Sequence, residues 1–290
     1  MRLIKPSFEI KEQESGVSGI YKQIEWAGRH CYKSLDKITE TSAKEFVDRM
    51  ISSKHYAMLE HGTVYFNIPI NVDEAGNFLD EISIWTKCRL VESEKGNWWA
   101  ITTNLRVMAE HFAPEYIEDL IEKYLCEPTE YHEKRITVKF VTDQGILREF
   151  TRHRVMSFAV ESTRYCNYSK DKFNNEITYI IPNWCTNIKE GNTSKIDLLT
   201  GCRDLTTSEV AFLKVLEENE DYYFVLLNLG WKPQQARNIL SLATKCDIVM
   251  TGFVSDWKHF FELRDAGSAH PQARELAQPL HEKFIELGYI

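Results

Sequence analysis

The 290-residue sequence lacks the features that define several protein classes most directly. No apolar run approaches the roughly 20 residues of a membrane-spanning helix, and the first residues lead to no signal-peptide core. We therefore expect a cytoplasmic protein without a membrane partner. The seven cysteines include no Cys-x-x-Cys pair, which argues against a disulfide framework and a zinc site. Neither a Gly-x-Gly-x-x-Gly nor a His-Glu-x-x-His motif occurs, so a Rossmann cradle and a metal centre are not supported.

Acidic residues outnumber basic residues in the whole chain, but basic residues outnumber acidic ones in one segment. The chain carries 35 lysines and arginines against 43 acidic residues, a net charge of −8. Between Arg148 and Arg164, however, four arginines and His153 accompany only two glutamates. A cationic island on an acidic protein indicates a small anion, most simply a phosphorylated molecule, whereas nucleic acid requires an extended basic face. We therefore expect no nucleic-acid partner.

The spacing within this segment predicts how the cations are directed. Apolar residues indicate a helix over Gln144–Arg154. Successive residues of a helix point in directions about 100° apart. Arg152, His153 and Arg154 therefore cannot all bind the same phosphate group. Three directions indicate two ligands, or one ligand and a subunit contact. Residues 161–164 then form a loop whose hydroxyls, backbone N–H groups and guanidinium provide an anion-binding concavity. A solvated basic helix with structural ion pairs is the alternative.

Hydrophobic periodicity elsewhere predicts an α+β fold. Alternation indicates strands, whereas capping residues and terminal glycine or proline mark helices. The predicted elements are a helix opened by a capping box at Ser42–Glu45, strands over 63–68, 136–141 and 247–253, helices over 208–229, 233–244 and 255–264 (the last capped by Ser255), and a terminal helix from Pro271 towards Gly288.

The arginine segment resembles a known signature. Arg152-His153-Arg154, seven residues and then Ser162-Thr163-Arg164 is similar to the motif of the flavin-dependent thymidylate synthases. Several blocks in order are more specific than one short motif. Further segments resemble other blocks of that family in the same order, namely Gly28–Ser34, Leu59–Phe66, Gln235–Arg237 and Leu263–Arg264 with His270 beyond.

The resemblance implies a fold and an activity. The fold is an α+β arrangement in which an antiparallel or mixed sheet packs with long helices. The activity is reductive methylation of dUMP to dTMP, with methylenetetrahydrofolate as carbon donor and NADPH reducing a bound FAD. Members of the family bind FAD without a Rossmann fold, between the subunits of a homotetramer, so the resemblance also implies a homotetramer.

The family pattern further implies roles for single residues. It assigns flavin contacts to Thr63, Arg152, His153, Arg154 and His259, and the nucleotide pocket to Glu149, Arg152, Ser162, Thr163, Arg164, Arg237 and Arg264. Arg264 matches the residue that acts on the uracil ring. A cation beside the N3 edge stabilises the deprotonated ring and increases electron density at C5. Thymidylate synthases that attack the pyrimidine with a cysteine thiolate have a Pro-Cys-His environment, which this sequence lacks. Cys166 is a candidate for such a nucleophile, but a weaker one than Arg264 is for activating the ring.

Some positions depart from the family pattern. Val160 stands where glutamine or glutamate usually contacts both ligands, and Phe253 and Ser255 stand where asparagine and arginine commonly contact the flavin. Asn104 and Arg106, which lie in residues 70–135, are candidates to replace the missing contacts with the flavin. Two alternatives stay open, a nucleotide-binding paralogue and a flavoenzyme that acts on another pyrimidine nucleotide. A non-enzymatic anion-binding or assembly protein is a third class.

Residues 70–135 resemble the compact members of the family poorly. We interpret them as an insertion within one domain that spans residues 1–290. Alternation over 82–90 and 98–103 around a turn at Lys95–Asn97 predicts a hairpin, and Pro114–Leu125 predicts an amphipathic helix. This hairpin-helix subdomain has three possible roles: a cover over the active site, an oligomer contact or surface decoration.

Overall fold

The structure is a computed structural model that describes residues 1–72, 84–94, 96–193 and 204–290. Its strands are β1 (Arg2–Ile4), β2 (Ser7–Lys11), β3 (Thr63–Pro69), β4 (Lys87–Val91), β5 (Trp98–Asn104), β6 (Arg135–Asp143), β7 (Ser157–Val160), β8 (Thr178–Ile180), β9 (Gly191–Asn192) and β10 (Lys245–Phe253). Its helices are α1 (Gly16–Tyr32), α2 (Ser42–Ser52), α3 (Leu105–His111), α4 (Pro114–Tyr124), α5 (Gln144–Phe150), α6 (Thr207–Asn228), α7 (Pro233–Ala236), α8 (Val254–Arg264) and α9 (Pro271–Glu286). Short 3₁₀ segments cover Leu35–Lys37, Tyr56–His61, Asp171–Phe173 and Arg237–Ile239.

A four-stranded sheet in the order β2-β6-β10-β7 is antiparallel throughout. β6 and β10 pair along the full nine residues of both strands. Ile136, Val138 and Phe140 are buried, as alternation along β6 requires. The predicted strands over 136–141 and 247–253 are therefore confirmed.

Helices α5, α8 and α9 pack on this sheet. Phe140 of β6 lies against Phe150 of α5 and Phe260 of α8, with ring centroids 5.0 and 6.1 Å apart. Phe150 and Phe260 are themselves 5.0 Å apart. Aromatic pairs at this spacing stabilise a core beyond the burial of their area. The packing brings the C-terminal part of α5 beside α8, where the candidate site lies.

A second sheet, in the order β3-β5-β4, contains the predicted hairpin. β5 pairs with β3 along its whole length, and the hairpin shares one hydrophobic core with α1, α2 and α4. Part of the predicted 82–90 strand is seen from Lys87, whereas residues 73–83 and Lys95 lie outside the described residues. The structure confirms the strands over 63–68 and 98–103 and the helix over 114–125.

A third sheet, in the order β8-β1-β9, packs with α6. It is mixed, because β1 is parallel to β8 and antiparallel to β9. α6 opens with a capping box, in which Thr206 Oγ1 accepts the Glu209 N–H at 3.2 Å and the Glu209 carboxylate accepts the Thr206 N–H at 2.8 Å. Gly230, with φ of +93°, follows the helix. The predicted helix over 208–229 is thus confirmed.

The helix predicted over Gln144–Arg154 is too long. α5 stops at Phe150, because the next residues turn. The N–H groups of Arg152 and His153 each bond to a carbonyl three residues back, at 3.4 and 3.1 Å. The turn buries His153 and leaves Arg152 exposed.

The helix predicted over 233–244 is also wrong beyond its first turns. α7 covers four residues and passes into a 3₁₀ turn at Arg237–Ile239. Ser241 Oγ accepts the Ala243 N–H at 3.1 Å, a local bond that competes with helix formation. The Ala243 carbonyl accepts the Ile180 N–H at 2.9 Å, which ties this segment to β8 instead.

Two predicted N-caps are wrong although their helices exist. Ser42 is the first residue of α2, and its hydroxyl donates to Glu25 at 2.8 Å. Ser255 lies inside α8, where Phe253 is the N-cap and Asp256 accepts the Phe253 N–H at 2.9 Å. The terminal helix begins at Pro271 as predicted. In the described ranges, no helix combines the length and apolarity needed to cross a membrane.

Candidate active site

Three predicted site residues converge at the end of α8. Arg264, the last residue of that helix, forms an ion pair with the Glu149 carboxylate, and its Nη2 donates to the Glu149 backbone oxygen at 2.7 Å. Its Nε donates to Nε2 of His153 at 3.0 Å. The aromatic packing of α5 against α8 brings these groups together. We call Arg264, Glu149 and His153 the arginine cluster.

His153 is held in its neutral form. It is 6% exposed. Burial, followed by the charges of Arg264 and His259, lowers its pKa to about 4, although Glu149 acts in the opposite direction. A neutral ring leaves Nε2 able to accept the Arg264 N–H. The His259 ring centroid is 6.0 Å from that of His153, so this predicted flavin contact lies beside the arginine cluster.

Arg264 keeps hydrogen-bond donors for a ligand. A guanidinium carries five N–H donors, and the arginine cluster uses one from each nitrogen. Two N–H groups remain, one on each terminal nitrogen. The side chain as a whole is 12% exposed. Donors fixed in advance stabilise developing negative charge without reorganisation.

The loop of residues 162–164, which we call the anion loop, follows β7. The Ser162 N–H donates to the Cys31 carbonyl at 2.9 Å, which joins the loop to the end of α1. Arg237 Nη1 donates to Thr163 Oγ1 at 3.3 Å. The structure thus joins two predicted nucleotide-pocket residues that are 74 positions apart in sequence.

The exposed arginines of the cationic segment have no ion pair within the described ranges. They are Arg148, Arg152, Arg154 and Arg164. Exposed guanidinium groups without a carboxylate partner suit bidentate binding of phosphate. Across the described residues, no hydrogen bond joins the arginine cluster to the anion loop. The predicted site therefore consists of two groups within one chain.

Thr63, the remaining predicted flavin contact, has a separate environment. Its backbone forms reciprocal bonds of 2.8 Å with the Gln13 side chain, and its Oγ1 lies 3.5 Å from Nη1 of Arg135. Arg135 is 6% exposed and also donates to Ser157 Oγ at 3.0 Å. Thr63 and Arg135 both line a pocket of about 280 Å³. The structure places Thr63 beside this buried arginine, without a bond to the arginine cluster.

The residues that depart from the family pattern make contacts with other residues of the same chain. Phe253 is 1% exposed, and Lys87 Nζ lies 4.5 Å from its ring centroid. The same Nζ donates to Ser255 Oγ at 2.6 Å. Val160 pairs with Ile248 in the sheet. A buried phenylalanine cannot reproduce the polar contacts of an asparagine.

The two candidate replacements also have local contacts. Asn104 caps α3 by accepting the Val107 N–H at 3.1 Å. Arg106 forms ion pairs with Glu60 at 2.5 Å and with Glu110 at 3.0 Å. Both side chains therefore stabilise the surroundings of α3.

A second group of charges is missing from the sequence prediction. Lys33, Glu161, Lys245 and Asp247 pair with one another immediately before the anion loop. We call these four residues the charged cluster. One signal was available: Asp247 is a carboxylate among the apolar residues of a predicted strand, and a buried charge requires a partner.

The described cysteines are poor nucleophiles. Burial raises the pKa of Cys31 and Cys166 to about 12 and that of Cys88 and Cys126 to about 11. It also raises the pKa of Cys185 and Cys246. Because the thiolate is the reactive form, these environments disfavour covalent attack by sulfur.

The fold and the two groups define an α+β protein with a candidate site for anions. A family model described as "Thymidylate synthase complementing protein" matches residues 83–287. This match covers more than half of the chain, which therefore belongs to the thymidylate synthase complementing protein family.

Individual relatives align over shorter stretches. The chain is 25% identical over 158 residues to a flavin-dependent thymidylate synthase of Haloarcula marismortui, covering 53% of this chain and 64% of that protein. It is 31% identical over 138 residues to one of Pyrococcus furiosus, covering 48% and 49%. The chain thus spans less than two thirds of the length of either relative. A solved structure of the UMP/dUMP methylase PolB from Streptomyces cacaoi, bound with 5-Br dUMP, is similar at 16% identity and a TM-score of 0.44, covering 99% of this chain and 93% of that chain.

Proposed function

We propose that the protein is a flavin-dependent thymidylate synthase that converts dUMP to dTMP. Methylenetetrahydrofolate supplies the carbon, NADPH a hydride and solvent a proton, so that the products are dTMP, tetrahydrofolate and NADP⁺. The observation that carries the proposal is the arginine cluster: Arg264 and Glu149, assigned to the nucleotide, converge with His153, assigned to the flavin, in a chain of this family.

The donor set fits an anionic flavin nucleotide as well as a nucleoside monophosphate. Arg152 and Arg154 are exposed and have no ion pair within the described ranges, and guanidinium forks match phosphate oxygens. We assign these two residues, with His153, His259 and Thr63, to FAD. When bound, FAD supplies hydride transfer from NADPH.

Arg264 acts on the uracil ring through its two remaining N–H donors. A fixed cation beside N3 lowers the pKa of the ring N–H, and the resulting anion has more electron density at C5, where the new bond forms. Glu149 and neutral His153 hold the orientation of the guanidinium. The raised pKa of Cys166 supports this route over thiolate attack.

The anion loop binds the 5′-phosphate of the nucleotide. Arg164 supplies a guanidinium without an ion pair among the described residues, while Ser162 and Thr163 supply hydroxyl groups. The bond between Arg237 and Thr163 supports a shared pocket for the phosphate. Arginine suits this role because its planar fork contacts two oxygens at once.

We also propose that four copies of the chain assemble and bind FAD between subunits. α6 supports this proposal, because Val215, Tyr222, Val225 and Leu229 are exposed at helical spacing, and an exposed apolar stripe is typical of an interaction surface. We propose a single domain over residues 1–290 with an insertion at 70–135. The core that the hairpin shares with α1 supports the single domain.

Flavin retention and reductant use test the proposal. The purified protein is incubated with FAD, freed of unbound flavin and assayed for NADPH oxidation and dTMP. We expect retained flavin absorption, NADPH oxidation and dTMP. Val160, which stands where the family usually has a side chain that contacts both ligands and which pairs with Ile248 in the sheet, favours one second candidate, a flavoenzyme for another pyrimidine nucleotide. That enzyme would oxidise NADPH without forming dTMP from dUMP, whereas a protein that retains no flavin contradicts both candidates.

A further inference from the structure

The charged cluster connects three distant segments of the chain. Lys33 follows α1, Glu161 follows β7, and the other two residues lie on β10. Lys245 Nζ lies 2.8 Å from Glu161 Oε2 and 2.5 Å from Asp247 Oδ1. Lys33 Nζ lies 3.4 Å from Glu161 Oε2 and also pairs with Asp247.

This cluster balances its own charge in a buried position. The side chains of Glu161 and Asp247 are 2% and 5% exposed, and two ammonium groups face two carboxylates. Burial lowers the pKa of Lys245, but Glu161 and Asp247 outweigh it and raise the pKa overall. A neutralised cluster has little charge to offer an external anion, unlike Arg164 next to it. Its contacts therefore indicate a structural role towards the loop.

The anion loop begins at the residue after Glu161. The Glu161 N–H donates to the Asp247 carbonyl at 2.8 Å, and the Asp247 N–H donates to Glu161 Oε2 at 3.1 Å. Ser162 then donates to the Cys31 carbonyl at 2.9 Å, two residues before Lys33. Backbone and side-chain bonds thus fix Glu161 to β10 and the first residue of the loop, Ser162, to α1.

We propose that the charged cluster positions the anion loop for the phosphate of a pyrimidine nucleotide, with Glu161 as the central positioning residue. This inference rests on the proposed function for the identity of the ligand. It explains why Gly28–Ser34 and the arginine motif, separated by more than a hundred residues, act as one structural unit. Loss of the Glu161 charge frees the loop and leaves Asp247 as the one carboxylate of the cluster that pairs with both lysines, so that a buried positive charge is no longer balanced, which is costly.

Amide hydrogen exchange tests the positioning without reference to activity. We compare Glu161→Gln, which removes the charge at nearly constant shape, with Glu161→Asp, which keeps the charge. Glu9→Gln is the matched control, because Glu9 pairs with Lys139 at 2.9 Å on the same sheet but is 53% exposed. Exchange in peptides covering 161–168 should rise about tenfold or more in Glu161→Gln, since fewer bonds then oppose local opening. Glu161→Asp should restore part of the protection, and the control should leave it unchanged.

Nucleotide binding supplies the second readout. In Glu161→Gln, the dissociation constant of dUMP should increase about tenfold, while kcat at saturating dUMP changes much less, because the arginine cluster is intact. If that variant does not fold, Lys33→Met carries both measurements, since Lys33 is partly exposed. Loop exchange equal to that of Glu9→Gln overturns the positioning role. If the wild-type protein makes no dTMP, the proposed function fails, but the exchange result still decides this inference.

Discussion

At the scale of single residues, the orientation of Arg264 depends on partners far away in the sequence. Glu149 and His153 are 115 and 111 positions from Arg264. The family pattern assigned Glu149 and Arg264 to the nucleotide pocket and His153 to the flavin, but the bonds among them could not be predicted, because they depend on how α8 packs against α5. The turn at His153 is a similar case: the apolar pattern predicted a helix that continues to Arg154, whereas the helix ends at Phe150 and the following turn buries His153 and leaves Arg152 and Arg154 exposed.

Replacing Arg264 tests its action on the pyrimidine. Arg264→Ala should lower kcat for dTMP formation by about 10²- to 10³-fold, the usual loss when one preorganised donor group is removed. Flavin binding should persist, because other residues are assigned to FAD. Steady-state kinetics and flavin absorption measure the two effects. The matched control is Arg274→Ala, since Arg274 only approaches Asp265 at 3.9 Å. Turnover near the wild-type level in Arg264→Ala would remove Arg264 from its proposed role.

Replacing Arg164 tests the anion loop. Arg164→Ala should weaken dUMP binding about 10- to 100-fold, since a hydrogen bond to a charged group contributes about 1.5–3 kcal/mol. Deoxyuridine, which lacks the phosphate, should bind the variant and the wild-type protein equally. Isothermal titration calorimetry with both ligands provides the comparison. An unchanged dissociation constant for dUMP would count against a phosphate contact at this position.

The neutral state of His153 predicts a pH dependence of stability. Its pKa in the folded protein is about 4, against an ordinary value of 6.5. Between these values the unfolded chain binds a proton that the folded chain does not. The contribution of neutral His153 to the free energy of unfolding is therefore complete above pH 6.5 and declines as pH falls towards 4. Urea denaturation at pH 7 and pH 5 should show a smaller loss in His153→Gln than in the wild type. Equal losses in both proteins would indicate that His153 does not titrate in this way.

At the scale of elements, alternation was the most reliable signal. β3 and β6 carry alternating apolar residues and were predicted close to their observed bounds. β10 was also predicted close to its bounds, as a strand-like run, and it is buried along nearly its whole length. α1 was not predicted as a helix, although part of it resembles a family block. Local patterns also failed where the chain bonds to a distant strand instead of continuing a helix, as at Ala243 after α7, whose carbonyl accepts the Ile180 N–H. Such bonds depend on the neighbouring strand and leave no periodic trace in the sequence.

The close approach of α1 and α2 makes a prediction at this scale. A Cβ on Gly28 would lie 2.4 Å from Cζ of the buried Phe46. Gly28→Ala should therefore lower the free energy of unfolding by about 1–3 kcal/mol through overpacking, although alanine in a helix is otherwise favoured. Gly267→Ala is the control, since a Cβ there meets nothing within 4 Å. Urea denaturation at constant pH measures both. A Gly28→Ala variant as stable as the control would show that the helices adjust freely.

At the scale of the whole molecule, the net charge is −8, yet one segment carries a group of exposed arginines that form no ion pair among the described residues. This contrast was visible in the sequence and correctly indicated exposed cations, whereas the charged cluster that anchors the anion loop was not visible. The arginine cluster and the anion loop are not bonded to each other among the described residues. In our account, ligands and neighbouring subunits complete the site that one chain leaves divided.

The most direct test of this account is the formation of dTMP from defined components. The protein is incubated with dUMP, methylenetetrahydrofolate, FAD and NADPH, and dTMP is measured by mass spectrometry in the complete mixture and after omission of each component. The account predicts dTMP in the complete mixture and none above background after any omission. A folded protein that retains FAD and binds dUMP, yet forms no dTMP in the complete mixture, would contradict it.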